Sequence, residues 1–177
     1  RHCGATFQKQ NPDGAPKDVT QPGDPIFASS SNSPGSEGVA NAIDGQPTKY
    51  LNFDSRNPAP IKPSGFVVSP KVGSTRVTGM TIQSANDAPA RDPKTVTLEG
   101  SNDDTITSFS AGNWSAIATV DVPAFTSRFA AYIRDAGGCG TAGDDVADPP
   151  KSPERDPDAE VSYVTRRDQA LLYRLSG

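Results

Sequence analysis

One histidine in 177 residues, and that one at position 2, leaves almost nothing from which to build an acid–base catalyst. A Ser-His-Asp or Cys-His arrangement needs an imidazole held against its nucleophile, and His2 sits at an end of the chain. Cysteine is nearly as scarce. Cys3 and Cys139 have no zinc spacing with each other or with His2. Their separation leaves two readings open: one disulfide in an oxidising compartment, or two separate surface thiols, the second being favoured. Adjacent acids occur as Asp103-Asp104 and Asp144-Asp145, in turn-forming surroundings where solvation explains them better than proton transfer. A glycosidase needs two carboxylates about 5–10 Å apart across a cleft, and Glu99 is the one acid inside a well-patterned strand. No phosphate-cradling glycine loop occurs. The chain reads as a non-enzyme.

Clustered positive charge is missing as well. The net charge is −4 and the one dense basic pair is Arg166-Arg167, which argues against a nucleic-acid partner, since that would need grouped Lys and Arg to displace counterions. No apolar run approaches the roughly 18–20 residues needed to span a bilayer. The chain opens on Arg1 without a signal-like segment, as a fragment or processed product would. Hydrophobic residues make up 33%, thin for a core along the whole length, so the buried residues should be concentrated in one part. Plentiful instead are glycine (16) and proline (17), still short of the roughly 25–30% that marks low-complexity chains.

Three regions follow from the patterning. Residues 1–17 have no period and several turn formers, which predicts a linker or flanking remnant. From Asp18 to Phe129, short β-rich runs alternate with turn clusters about every 8–12 residues, the pattern of an antiparallel sandwich or barrel. The runs are Gly65–Ser69, Thr75–Gln83 with Gly79 as a candidate bulge, Lys94–Glu99 with Val96 and Leu98 inward, Trp114–Val122, and a further strand starting at Phe125. Residues 36–43 form the one candidate helical turn. Residues 130–177 change character. Positions 134–160 are rich in Gly, Pro and charge, predicting an irregular or disordered tail, and the last stretch regains apolar residues without a convincing period.

Three segments in the middle region resemble the discoidin-like family, which includes coagulation-factor type C domains and many bacterial carbohydrate-binding modules. Ala42-Ile43-Asp44-Gly45 leading to Thr48-Lys49-Tyr50 is similar to the family's A-[IV]-D-G-x-x-x-T-x-W signature, with Tyr in place of Trp. Arg91-Asp92-Pro93 through Leu98-Glu99-Gly100-Ser101-Asn102-Asp103 resembles its R-D-P-x-x-[WYV]-x-L-x-G-S-N-D strand and turn. Trp114 followed by Ile117 is similar to its W-x-x-[IL]. The resemblance covers about 110 residues and implies an all-β fold, an antiparallel β-sandwich of jelly-roll type. It fades after Phe129. Ala159-Glu160-Val161 matches the family's ending in letters alone, so the two closing strands are expected to be lost and the sandwich left incomplete at its C-terminal side. An altered reading frame would produce such a switch.

The same resemblance implies a structural calcium in the first loop, where Asp44 offers a carboxylate, Thr48 a hydroxyl, and Asn41 and Gln46 backbone carbonyls. Calcium wants about six to eight oxygens, and Glu160 is the expected second carboxylate. The plainer alternative is a tight turn in which Asp44 accepts backbone N–H bonds. Sugar recognition needs an aromatic face and fixed polar groups. The candidates are Tyr50, Asn52 and the neighbouring Phe53, together with Asn86, Asp87 and Arg91, each with a structural explanation beside it: Tyr50 and Trp114 as core, Arg91-Asp92 as an internal ion pair. The implied function is a non-catalytic module binding a glycan or cell-surface polymer, tethered to other domains of a secreted or surface protein of bacterial type. The alternative is a structural or protein-interaction domain of the same fold with no sugar site.

Overall fold

In the computed structural model, which describes residues 4–10, 16–55, 64–135, 169–170 and 172–176, the chain folds as an antiparallel β-sandwich. The strands are β1 (Gly4–Gln10), β2 (Pro16–Asp18), β3 (Ile26–Ala28), β4 (Gly65–Val68), β5 (Thr75–Arg76), β6 (Gly79–Gln83), β7 (Thr95–Ser101), β8 (Ser115–Asp121), β9 (Ala131–Asp135), β10 (Gln169–Ala170) and β11 (Leu172–Ser176). One sheet runs β3-β4-β11-β7-β8 and the other β2-β1-β6-β9, with β5 and β10 as a short ribbon. The described residues contain no α-helix. Single 3-10 turns occur at Val39–Ala42, Phe53–Ser55 and Pro89–Arg91, the first of them inside the predicted turn at 36–43.

Side-chain alternation decides which face each strand buries. On β7, Val96 and Leu98 are buried while Thr97 and Glu99 lie on the outer face, as the sequence pattern predicts. β4 is buried at all four positions. Phe66 and Val68 join the main core, whereas Val67 joins a second cluster with Ile106 and Leu172 on the sheet's outer face. Phe109 and Trp114 pack against that cluster, which is why β4 reads as a continuous apolar run. Gly65 must be glycine. A side chain there would collide with the Leu175 carbonyl oxygen and the Phe109 ring. The sheets meet through aromatic contacts: the Phe7 ring lies 6.3 Å from that of Phe66 and 5.7 Å from that of Tyr173. Burying each such side chain contributes about 1.5–3 kcal/mol.

The structure departs from the sequence reading in four places. The N-terminal segment is no linker: β1 pairs with β6 from Gly4 to Gln8 and Phe7 is fully buried. The closing strands are present, because β9 pairs with β6 and β11 fills the slot between β4 and β7. Tyr173 and Leu175 make that slot apolar, and both have 0% exposure. Two inward positions in five residues are too few to show a period in sequence. Thr75–Gln83 is two strands, β5 pairing with β10 and β6 with β1 and β9. Finally, no strand starts at Phe125; residues 122–130 are turns, and pairing resumes at Ala131. Of the irregular stretch predicted at 134–160, Arg134 and Asp135 belong to β9, and the rest lies outside the described residues.

Candidate functional site

The first loop closes on itself. Gly45 adopts φ +68°, a left-handed conformation that glycine enters without penalty, and this turns the chain back over Asp44. The Asp44 carboxylate accepts the Gln46 backbone N–H at 2.8 Å through one oxygen and the Thr48 hydroxyl through the other. Asn41 holds the loop from below, its amide donating to the carbonyls of Ser36 (2.9 Å) and Lys49 (3.0 Å). Of the four residues expected around calcium, the fold thus brings Asp44, Gln46 and Thr48 together, as partners of one another. Calcium needs about six to eight oxygens. The loop supplies one carboxylate, already engaged at both oxygens, and nowhere among the described residues do three His, Cys, Asp or Glu gather. Glu160, Cys3 and Cys139 lie outside the described residues. Among the described residues the loop brings one carboxylate, which caps a tight turn.

Tyr50 and Asn52 belong to the interior. Each has 0% exposure, and a side chain with no surface cannot touch a ligand. Burial raises the Tyr50 phenol above its ordinary value, partly offset by hydrogen bonds involving Asn52 and Ser29. Asn52 knits the loop below it. Its amide donates to Ser30 Oγ at 2.8 Å and Ser29 Oγ at 3.3 Å, and its carbonyl accepts the Asp54 N–H at 3.0 Å. Both residues therefore leave the list of ligand contacts.

Asn86, Asp87 and Arg91 remain exposed. Asp87 accepts from Arg91 at 3.2 Å and from Lys49 at 3.0 Å, and Lys49 also pairs with Glu37 at 3.2 Å. Burial pulls the Lys49 ammonium down, yet the hydrogen bonds and charges of Asp87 and Glu37 outweigh it and hold the group above its ordinary value. The expected Arg91–Asp92 pair does not form. Asp92 is instead gripped by Arg128 through two bonds of 2.6 and 3.0 Å, a fork geometry that only a guanidinium offers a carboxylate. The same guanidinium donates to the carbonyls of Ala85 (3.2 Å) and Asp87 (3.3 Å), tying residues 84–92 to residues 122–130.

Lys49, Arg128 and Phe129 were not singled out from sequence. Phe129 is the informative one. Its φ is +60°, and Ala88 at +48° is the other non-glycine residue with positive φ among the described residues. Such backbones cost on the order of 1–3 kcal/mol and cluster where a surface is held in a set shape. Both flank the Arg128 clamp. Phe129 is held by Gln83, whose amide donates to its carbonyl at 2.9 Å, and by the Ser84 N–H, which donates to Ala130 O at 2.8 Å. The residue is 42% exposed, an aromatic side chain at the surface. A residue that looks like strand interior in sequence gives no sign of this.

Glu99 and Asp103, two of the carboxylates considered for acid–base work, have structural partners. Glu99 pairs with Arg174 at 2.6 Å, and that guanidinium lies 4.6 Å from the Trp114 ring centre and 5.5 Å from that of Phe109. Trp114, expected in the core, is partly buried on the outer face, with its indole N–H donating to Ala111 O at 2.8 Å. The side-chain and backbone hydrogen bonds of Thr105 hold the Asp103 carboxyl below its ordinary value, the behaviour of a turn. No described helix is long and apolar enough to cross a membrane.

No protein-family model matches the chain. A 45-residue stretch, 25% of the chain, is 49% identical to 3-hydroxyacyl-thioester dehydratase Y of Mycobacterium tuberculosis and spans 16% of that protein. Among solved structures, the C-terminal domain of a chitobiase from Bacteroides fragilis is similar with a TM-score of 0.43 and 12% identity, over 99% of this chain and 78% of that one. A TM-score below 0.5 does not establish a shared fold, and the architecture rests on the strand pairings described above.

Proposed function

We propose that this chain is a non-catalytic binding module of a larger exported protein, and that it recognises a glycan or another surface polymer through the loop face built by residues 84–92 and 125–130. The observation that carries this is Phe129, an exposed aromatic in a strained backbone and next in the chain to Arg128, whose guanidinium ties down the loop that carries the exposed Asn86, Asp87 and Arg91. Sugars present an apolar C–H face and a ring of hydroxyls, so an aromatic plate next to prearranged donors and acceptors suits them. The network of Arg128, Asp92, Asp87 and Lys49 orders those groups before any ligand arrives, which reduces the entropy cost of binding. The resemblance of the strand and turn sequences to carbohydrate-binding modules points the same way.

A glycan array followed by calorimetric titration tests the proposal. Phe129→Ala and Arg91→Ala should each weaken binding to the array hit by about tenfold, a loss of about 1.4 kcal/mol, with the melting temperature nearly unchanged because both side chains are on the surface. Silence across the array, or hits that neither substitution affects, would reject it. Capture of a protein partner that depends on Phe129 would point instead to an interaction domain of the same fold.

A further inference from the structure

The polar cluster around Asp87 has little room inside it. The space bounded by Lys49, Leu51, Asp87, Ala88 and Arg91 amounts to about 10 Å³, about enough for one water molecule. The room lies on the other flank of the same 3-10 turn. A groove of about 600 Å³ runs between Pro89, Ala90 and Pro93 from that turn and Val122, Pro123 and Phe125 from the segment after β8. That volume is in the middle of the roughly 300–1,000 Å³ span of ligand pockets. Asp92, the residue that follows Arg91, borders both spaces.

Its chemistry narrows the occupant. Three prolines and one phenylalanine line it, giving flat C–H and aromatic surfaces, and proline has no side-chain rotamers to lose on contact. Its polar groups are Asp92, Lys94, Thr95 and Asp121. Thr95 donates to Asp121 at 2.9 Å across the β7–β8 pair, and Lys94 is exposed beside them. Arg128 neutralises Asp92 through its two-bond grip, which leaves Lys94 and Asp121, one charge of each sign. The groove is therefore more apolar than polar, without net charge, and roomier than a single sugar ring requires. Resting on the function proposed above, we infer that this groove holds successive rings of a neutral polysaccharide, so the module binds along a chain instead of gripping one terminal sugar.

Calorimetric titration of the full chain with neutral cello-, chito-, manno- and xylo-oligosaccharides of one to six units, and with polygalacturonate as an acidic comparison, tests this. Affinity for the recognised series should rise about tenfold or more between one and four units and then level off. Ala124→Trp, which fills the groove from the segment after β8, should reduce the tetramer to the affinity of the monosaccharide and leave the monosaccharide unchanged. Pro123→Trp does the same should the first variant fail to fold. Arg91→Ala should weaken every length alike. Affinity that does not depend on length, long chains insensitive to both tryptophans, or a preference for polygalacturonate would overturn the groove while leaving the binding module standing. Absence of binding to any of these sugars, with a proline-rich or apolar peptide taken up in their place, would overturn both.

Discussion

Asp44 illustrates how one residue type can serve two chemistries. In the motif it looks like a metal ligand; in the fold its two oxygens cap a backbone N–H and a threonine hydroxyl. Two hydrogen bonds on a partly exposed loop contribute on the order of 1 kcal/mol together. Asp44→Ala should therefore lower the unfolding free energy by about 1 kcal/mol, by the same amount in millimolar calcium and in chelator, as read by urea denaturation. A calcium-dependent stability of the parent chain that disappears in the variant would show that the loop is a metal site after all. Tyr50 and Arg91 make the same point from opposite sides. Both are candidates by residue type, and exposure alone separates them, one sealed in the core and the other at the rim.

At the level of elements, the centre of the larger sheet is assembled from distant parts of the chain. Leu98 on β7 and Leu175 on β11 are register partners and are buried at 1% and 0% exposure. Truncating either to alanine should cost about 2–5 kcal/mol, with a cavity left behind. Because they touch the same core, the double variant should depart from additivity by about 0.5 kcal/mol or more. Chemical denaturation of the four proteins measures this, and strictly additive losses would mean that β11 does not occupy the slot between β4 and β7. Strands with clean alternation, β7 above all, were legible in sequence. β1 and β11 were not, since they are defined by their pairing partners, β6 for the first and β4 and β7 for the second.

For the molecule as a whole, two groups tie stability to alkaline pH. Burial raises the Tyr50 phenol above its ordinary 10.0. Asp87 and Glu37 hold the Lys49 ammonium above 10.5 against the opposing effect of burial. Each group binds its proton more tightly in the folded chain than in the unfolded one. Each therefore contributes stability in full below its unfolded value, and loses it as pH rises through the folded value. The melting temperature should fall steeply above about pH 10, and Tyr50→Phe, which cannot ionise, should shallow that fall. An alkaline limb identical in the two proteins would show that the phenol is not the group responsible.

What the sequence by itself determined is the all-β character, the approximate positions of β4, β6, β7 and β8, and the scarcity of groups for catalysis or nucleic-acid binding. These depend on residue type and short periods, which are local properties. Tertiary structure alone decided the sheet order, the recruitment of both chain ends into the sandwich, and the division of the candidate residues into core and surface. It also set Arg128 on Asp92 and brought the two proline-bearing segments of the groove together. The physical reason is that burial and proximity are properties of pairs of residues far apart in the chain: Arg128 reaches Asp92 across 36 positions, Lys49 reaches Asp87 across 38, and no local period encodes either meeting.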